Sequence, residues 1–227
     1  MIEIDLILIG NVKDLIDTSY LKRWKSNIFS IKQIKEVILT SDIGFDDPNC
    51  TFDKVKELKT DNRLTIAISN YYFPQNLISL PLTDYLISLS IYDFDKMLVD
   101  EKIRIEKYIL KFIYSFSIIY QTNNNRLPTT TDLIHRDIQG CIFDYCKRHI
   151  DTLKFHNKPK LSSHSRTQLE SKNKPENYIK IIDNEINRLK RSYFEKLELY
   201  VKRNPAMTTI ISLIVGFLLG LLTNMIK

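Results

Sequence analysis

The sequence contains few glycines, five in 227 residues. It has no glycine-rich phosphate-binding loop, no Gly-x-Ser-x-Gly elbow, and neither an HExxH nor a CxxC pair. These absences exclude the familiar nucleotide-binding, serine-hydrolase and zinc-peptidase signatures. No cofactor and no bound metal are expected from motifs.

Cysteine is also scarce, with three residues scattered along the chain. Three cysteines do not form a disulfide framework, and they fit a reducing compartment. The opening stretch, MIEIDLILIG, is too short and too acidic for a signal peptide and offers no small-residue cleavage site. We therefore expect the N-terminal part to be cytoplasmic.

One long apolar run is present, near the C-terminus. No residue from Ile210 to Ile226 is charged. Counted over residues 207–226, the run offers about 20 residues, enough to cross a hydrocarbon core of roughly 30 Å. The sequence therefore predicts a single transmembrane helix over 207–226, with the lipid bilayer as a partner.

The charges that flank this run predict its orientation. Lys196, Lys202 and Arg203 precede it, and only Lys227 follows. The positive-inside rule then keeps the large N-terminal part in the cytoplasm. The expected arrangement is a single-pass, tail-anchored membrane protein.

Two features favour self-association into a homo-oligomer. Gly216 and Gly220 form a GxxxG pair, which lets two membrane helices approach closely. A long amphipathic helix is predicted over 175–204, between Pro175 and Pro205. Its apolar stripe, which packs either on the body of the protein or on a second copy, consists of Ile179, Ile182, Ile186, Leu189, Tyr193 and Leu197.

The rest of the chain predicts one soluble α/β or α+β domain over 1–156, followed by a polar, basic linker or loop over 157–174. Strands and helices alternate along it. The expected strands are IEIDLILIG, EVILTSD, NRLTIAISN and TDYLISLSIYDF; the expected helices are DTSYLKRWKSNIFS, capped by Asp17 or Thr18, and residues 99–121.

The stretch HRDIQGCIFDYCKRHI gathers the candidate catalytic or metal-binding groups. They are His135, Cys141, Cys146 and His149, with Asp137 or Asp144 as acid or base. Cys146 and His149 would share a helix face, but Cys141 and Cys146 would not, so no sub-pattern has recognised zinc-ligand spacing. The alternative is that Cys141 enters the core while the acidic groups form local caps or salt bridges.

The order of elements over about residues 60–170 resembles the archaemetzincin-type zinc peptidases. Two strands, RLTIAISNYY and DYLISLSIYD, precede a long helix, and GCIFD resembles the cysteine-x-methionine turn, with Phe143 replacing methionine. PKLSSHSRTQL resembles the family's later segment, with Ser162 and Ser165 where two cysteines would stand and Leu169 where a leucine follows.

The resemblance implies a pseudo-peptidase. In the frame IEKYILKFIYS, Ile105, Ile109 and Ser115 occupy the histidine positions of the catalytic zinc motif, and Glu106 alone survives. Without those histidines the catalytic zinc cannot be held and no water is activated.

A small cytoplasmic domain fused to one membrane span also resembles bacterial anti-phage defence effectors, which implies a bacterial inner membrane. The expected function is that of an effector whose domain senses a protein or signalling ligand and whose helices assemble and disrupt the membrane. Two alternatives stay open, a membrane-tethered hydrolase of the metal-dependent peptidase kind and a membrane-tethered nucleic-acid binder. The binder would use Lys147, Arg148, Lys154, Lys158, Lys160 and Arg166.

Overall fold

A computed structural model describes the fold. It covers residues 1–38, 55–58, 63–73, 77–137, 140–145, 149–172, 174 and 176–225. The side chains of residues 95, 149 and 218–225 are not described. The chain divides into two compact units, Met1–Lys190 and Arg191–Lys227. The first unit extends well beyond the predicted domain boundary at residue 156.

The first unit is built on a five-stranded sheet with the order β2-β1-β3-β5-β4. Its strands are β1 (Ile2–Ile9), β2 (Phe29–Val37), β3 (Leu64–Ser69), β4 (Ser79–Pro81) and β5 (Leu86–Ser90). Neighbouring strands run parallel except for β4, which pairs antiparallel with β5 at the edge. This confirms the mixed α/β fold class.

The three central strands carry the apolar runs that predicted them. All residues of β3 and β5 are buried, as are the last six of β1. Burial on both faces is typical of parallel strands covered by helices on either side. These strands form the floor of the main hydrophobic core.

The second strand lies earlier than predicted. A strand was expected at EVILTSD and a helix over 17–30, but helix α1 spans only Thr18–Arg23 and β2 already begins at Phe29. The Asp17 carboxylate accepts the Tyr20 amide at 3.0 Å, which confirms the predicted N-cap. The predicted strand continues past Val37 into residues that lie outside the described part of the chain.

The helix predicted over 99–121 is present from residue 105 onward, and its first two residues belong to a separate, earlier helix. Helix α2 spans Phe94–Asp100, and helix α3 spans Ile105–Thr122. Between them Lys102 adopts a left-handed conformation with φ of 53°, which a continuous α-helix does not allow. Helix α3 is buried from Glu106 to Tyr120 and forms the centre of the unit.

The segment predicted as a polar linker over 157–174 is largely folded, so that prediction is wrong. After helix α4 (Thr152–Asn157), helix α5 spans Ser163–Ser171 and buries Ser165 and Leu169 in the first unit. The prediction of a linker followed from the polar composition of this segment. The helix nevertheless packs on the first unit, because a helix this short buries only one apolar side chain, that of Leu169.

The prediction of a single amphipathic helix over 175–204 is also wrong, because two helices occupy this range. Helix α6 spans Glu176–Asn187, and helix α7 spans Tyr193–Arg203. Of the predicted stripe, Ile179, Ile182, Ile186 and Leu189 are buried, whereas Tyr193 and Leu197 are 75% and 45% exposed. The stripe is broken because Ser192 starts a new helix with a capping box to Glu195.

Helix α8 spans Pro205–Met225 and coincides with the predicted transmembrane segment over 207–226. Within the part of the chain that the structure describes, none of the helices reaches the length and apolarity of a membrane crossing. The transmembrane assignment therefore stays a prediction.

Candidate functional site

Five side chains from three separate segments meet at one buried centre of the first unit. This His–Cys–Ser cluster consists of His135, Cys141, Asp144, Ser162 and Ser165. Cys141 and Ser165 are fully buried, Ser162 and Asp144 are 3% and 8% exposed, and the His135 side chain is 11% exposed. Three of the predicted candidates, His135, Cys141 and Asp144, are thus brought together.

A tight turn from Gly140 to Asp144 holds Cys141 in place. The Asp144 carboxylate oxygen Oδ2 accepts the amide of Gly140 at 2.6 Å and that of Cys141 at 2.9 Å. The amide of Asp144 in turn donates to the carbonyl of Cys141 at 3.2 Å. Asp144 is therefore the local cap that one interpretation of the sequence expected.

Gly140 has a conformation and surroundings that suit glycine alone. Its φ is +83°, and a Cβ there would lie 3.1 Å from the backbone oxygens of both Lys154 and Lys158. Because both contacts are backbone atoms, they cannot rotate away from an added Cβ as a flexible side chain could.

We expect Gly140→Ala to lower the free energy of unfolding by about 2–3 kcal/mol, combining the left-handed backbone cost with the clash. Urea denaturation checks this. Gly216→Ala is the matched control, because a Cβ at Gly216 meets nothing within 4 Å. Equal midpoints for Gly140→Ala and the wild type would contradict the account of this turn.

The two serines enter the cluster from the start of α5. Ser162 caps this helix by accepting the amide of Ser165 at 3.1 Å, which fixes both hydroxyls over Cys141. The Cys141 thiol accepts the Ser162 amide at 3.3 Å and lies 3.3 Å from the Ser165 hydroxyl. Ser162 Oγ is 2.9 Å from Ser165 Oγ and 3.1 Å from His135 Nε2.

The hydrogen bonds assign a tautomer to neutral His135. Its Nδ1 lies 3.0 Å from the carbonyl oxygen of Asp137, which can only accept, so Nδ1 carries the proton. Nε2 is then an acceptor, and it receives the Ser162 hydroxyl. The hydrogen bonds then all run in one direction. The Ser165 hydroxyl donates to Ser162 Oγ and the Ser162 hydroxyl to His135 Nε2, so the Cys141 thiol donates to Ser165 Oγ.

The same geometry does not make a Ser–His–Asp catalytic triad. In a triad the acid binds one imidazole nitrogen and the serine the other. Here Ser162 and Asp144 face the same nitrogen, at 3.1 and 3.5 Å, and the opposite nitrogen binds a backbone carbonyl. The near-complete burial of Ser162 and Cys141 also denies a substrate access to either nucleophile.

The donor atoms do fit zinc in part. One ligand atom each from His135, Cys141 and Asp144 lies within 4.8 Å of the others, and imidazole, thiolate and carboxylate are all zinc ligands. The remaining two positions around Cys141 are serine hydroxyls, which are not among the usual ligands of structural zinc. With the Asp144 carboxylate held by two backbone amides, the other four side chains have the layout of a four-ligand cage whose members are joined by hydrogen bonds.

The other predicted candidates do not join the cluster through their side chains. Asp137 contributes its carbonyl oxygen, not its carboxylate. Cys146 lies outside the described residues, and nothing is described of the His149 side chain beyond its place in a 3-10 turn. Arg166, from the nucleic-acid set, pairs with Asp183, whereas Lys147 and Arg148 lie outside the described residues.

The positions on α3 that resemble a catalytic zinc motif are structural here. Ile109 is fully buried and Ser115 is 7% exposed. The Glu106 carboxylate accepts the Asp17 amide at 2.7 Å and the Arg104 guanidinium at 3.3 Å. Glu106 thus fastens α3 to the N-terminal end of α1.

His164 is a neighbour of the cluster that sequence reasoning left in a polar loop. Its ring packs edge-on against that of His135 at 5.8 Å, and its Nε2 is 2.8 Å from the carbonyl oxygen of Asp132. The cluster is a closed, hydrogen-bonded centre whose geometry resembles a metal cage. Comparison of the chain with protein-family models, with curated proteins and with solved structures found no match.

Proposed function

We propose that the chain is a membrane-anchored effector or adaptor: its first unit senses a partner or ligand, and its C-terminal helix inserts into the membrane and self-associates. The observation that carries this proposal is the exposure of α8. Its apolar side chains are 47–69% exposed at Met207, Ile210, Ile211, Leu213, Ile214, Val215 and Phe217. In water such a surface is unfavourable by about 25 cal/mol per Å².

The sequence of α8 supports insertion into the bilayer rather than peripheral binding to the membrane surface. The apolar run continues without charge through Ile226. Helical spacing places Ser212, Gly216 and Gly220 on one side, four residues apart, while the large apolar residues occupy the other sides. A small-residue side of this kind lets two membrane helices pack closely, which supports assembly of several copies.

The first unit is proposed to be a degenerate zincin-like domain. Strands β3 and β5, which fall within the two stretches that carry the resemblance to archaemetzincin-type peptidases, precede the long helix α3, as that resemblance implies. Ser162 and Ser165 stand beside His135 and Cys141 where cysteines would complete a cage. This architecture favours a sensing or scaffolding role over hydrolysis, as in the bacterial defence effectors that the chain resembles.

Membrane insertion is tested with two chains, the full length and one ending at Asn204. We expect the full-length chain to stay in the membrane fraction after an alkaline carbonate wash, because about 20 apolar residues are buried in lipid. The shorter chain should be released. Release of both chains by the wash would refute the membrane anchor.

Self-association is tested with Gly216→Ile/Gly220→Ile in the full-length chain. We expect this variant to insert but to lose chemical cross-linking between copies, and to leave the membrane potential of expressing cells intact when the wild type lowers it. The matched control is Leu213→Ile/Leu221→Ile, which keeps the small-residue side. Equal cross-linking in all three chains would contradict assembly through this side.

A further inference from the structure

Helix α7 carries an exposed apolar face of its own. The face consists of Tyr193, Phe194, Leu197, Tyr200 and Val201, whose spacing of 1, 3, 3 and 1 places them on one side of a helix. Tyr193 and Phe194 are 75% and 74% exposed, and the other three are 41–45% exposed. Large aromatic and aliphatic groups of this number rarely face water together without a partner.

The charges of α7 avoid this face. Glu195 and Lys202 lie on the opposite side of the helix. Lys196 and Arg203 line one border of the apolar face, and Glu198 lines the other. Long basic side chains at such a border can bury their methylene stems and extend their charged ends to phosphate groups. The pattern is that of a helix lying at a lipid–water boundary.

The joint between α7 and α8 is short. Asn204 caps α7 by donating its amide and its side-chain Nδ2 to the Tyr200 carbonyl, at 2.9 and 3.1 Å. Its own carbonyl accepts the Thr208 amide at 3.1 Å, within the first turn of α8. A single residue therefore separates the exposed face of α7 from a helix that enters the bilayer.

We infer that α7 lies in the headgroup region of the membrane, with its apolar face toward the acyl chains and Lys196 and Arg203 toward lipid phosphates. This inference rests on the proposed membrane anchor and adds a second contact to it. Tyrosine and phenylalanine suit this depth because the interface offers water to a hydroxyl and hydrocarbon to a ring. The 11 residues of α7 would cover about 16 Å of membrane surface.

The test places one tryptophan on each side of α7 in the full-length chain. Phe194→Trp reports on the apolar face and Lys202→Trp on the opposite side. Each chain is reconstituted into vesicles of phosphatidylcholine and phosphatidylglycerol, and the wild-type spectrum is subtracted to remove the single native tryptophan, Trp24. Lipids brominated near the headgroup serve as a depth-selective quencher.

We expect the added tryptophan of Phe194→Trp to emit at shorter wavelength and to be quenched about twofold or more relative to Lys202→Trp, because only the first side touches lipid. Water-like emission from both sites would overturn the inference. A blue shift at Phe194→Trp without quenching by brominated lipid would overturn it in favour of a second copy covering the face.

A second measurement distinguishes failure of the interfacial placement of α7 from failure of the membrane anchor. The same vesicles are floated after an alkaline wash, which reports on insertion of α8 alone. A chain that floats while Phe194→Trp emits as in water retains the anchor and refutes the interfacial placement of α7. A chain that fails to float refutes the anchor and this inference with it.

Discussion

Replacing Ser162 and Ser165 together by cysteine is expected to convert the His–Cys–Ser cluster into a zinc site. The double variant should bind one zinc per chain through His135, Cys141 and the two new thiolates. Structural zinc sites of this kind bind with about 10–16 kcal/mol. The thermal unfolding midpoint should therefore rise steeply with zinc and fall again on addition of a chelator.

The distances in the cluster set the adjustment that zinc would require. The successive contacts from His135 to Ser162, Ser165 and Cys141 are 3.1, 2.9 and 3.3 Å. Around a tetrahedral zinc with bonds of about 2.0–2.3 Å, neighbouring ligand atoms are about 3.3–3.8 Å apart. An expansion of a few tenths of an ångström to about 1 Å is needed, and the longer C–S bonds change the reach of the new side chains.

Metal analysis and calorimetry of the purified chains decide the outcome. The matched control is the double variant with Cys141→Ser added, which removes one thiolate and should weaken zinc binding by at least about tenfold. The wild type should have the same unfolding midpoint with and without chelator, since its hydrogen bonds already join the side chains. A wild type that retains stoichiometric zinc through a chelator, or a double variant that binds none, would refute this account.

The central sheet could be predicted because its strands are unusually apolar. β1, β3 and β5 are buried on both faces over most of their length, so each leaves a predominantly apolar run in the sequence. β4 was missed because it has three residues and owes its place to pairing with β5. The predicted position of the second strand was too late because five of the nine residues of the edge strand β2 are polar. The helical pattern of the preceding stretch also extended across the start of β2.

The helix over 175–204 was mispredicted for a local reason that the sequence contains. Ser192 and Glu195 form the Ser-x-x-Glu signature of a helix N-terminus, and the structure forms both hydrogen bonds of that box. The apolar spacing from Leu189 to Tyr193 bridged this break by coincidence. The apolar periodicity predicts one continuous helix, whereas the capping signal at Ser192 predicts that a second helix begins there.

Three of the five cluster residues could be predicted as candidate site residues from their chemistry, and two could not. His135, Cys141 and Asp144 fall within ten residues and share the chemistry that marks a site. Their partners Ser162 and Ser165 come about twenty residues later in a segment whose composition resembles a linker. Only the resemblance to a cysteine-bearing segment drew attention to them, because serine alone is too common to indicate a buried contact.

Glu185→Ala is expected to produce the second large effect, a loss of about 3–5 kcal/mol of unfolding free energy. Glu185 is 5% exposed, and its carboxylate accepts four hydrogen bonds that tie α6 to the start of β2 and to α3. The donors are the Asn27 amide at 2.7 Å and its Nδ2 at 2.9 Å, the Ser26 hydroxyl at 2.5 Å and the Tyr114 hydroxyl at 2.8 Å.

The size of the effect follows from which donors lose their acceptor. Burial, and secondarily the Glu185 charge, raise the pKa of the Tyr114 phenol well above its usual value, so this group remains a donor throughout the neutral range. It also accepts the Trp24 indole N–H at 2.8 Å. Removing the carboxylate therefore leaves the buried Tyr114 hydroxyl and the Asn27 amide without the acceptor that satisfies them, at about 1–3 kcal/mol each.

Two further variants separate the charge from the hydrogen bonds. Glu185→Gln keeps one strong acceptor and the side-chain volume, so it should lose about half as much as Glu185→Ala. Tyr114→Phe removes one donor together with its partner bond and should lose about 1–2 kcal/mol. Urea midpoints at neutral pH rank the three. If Glu185→Ala unfolds at the wild-type midpoint, α6 is held by Ile179, Ile182 and Ile186 alone, and the carboxylate network adds nothing to the stability of the first unit.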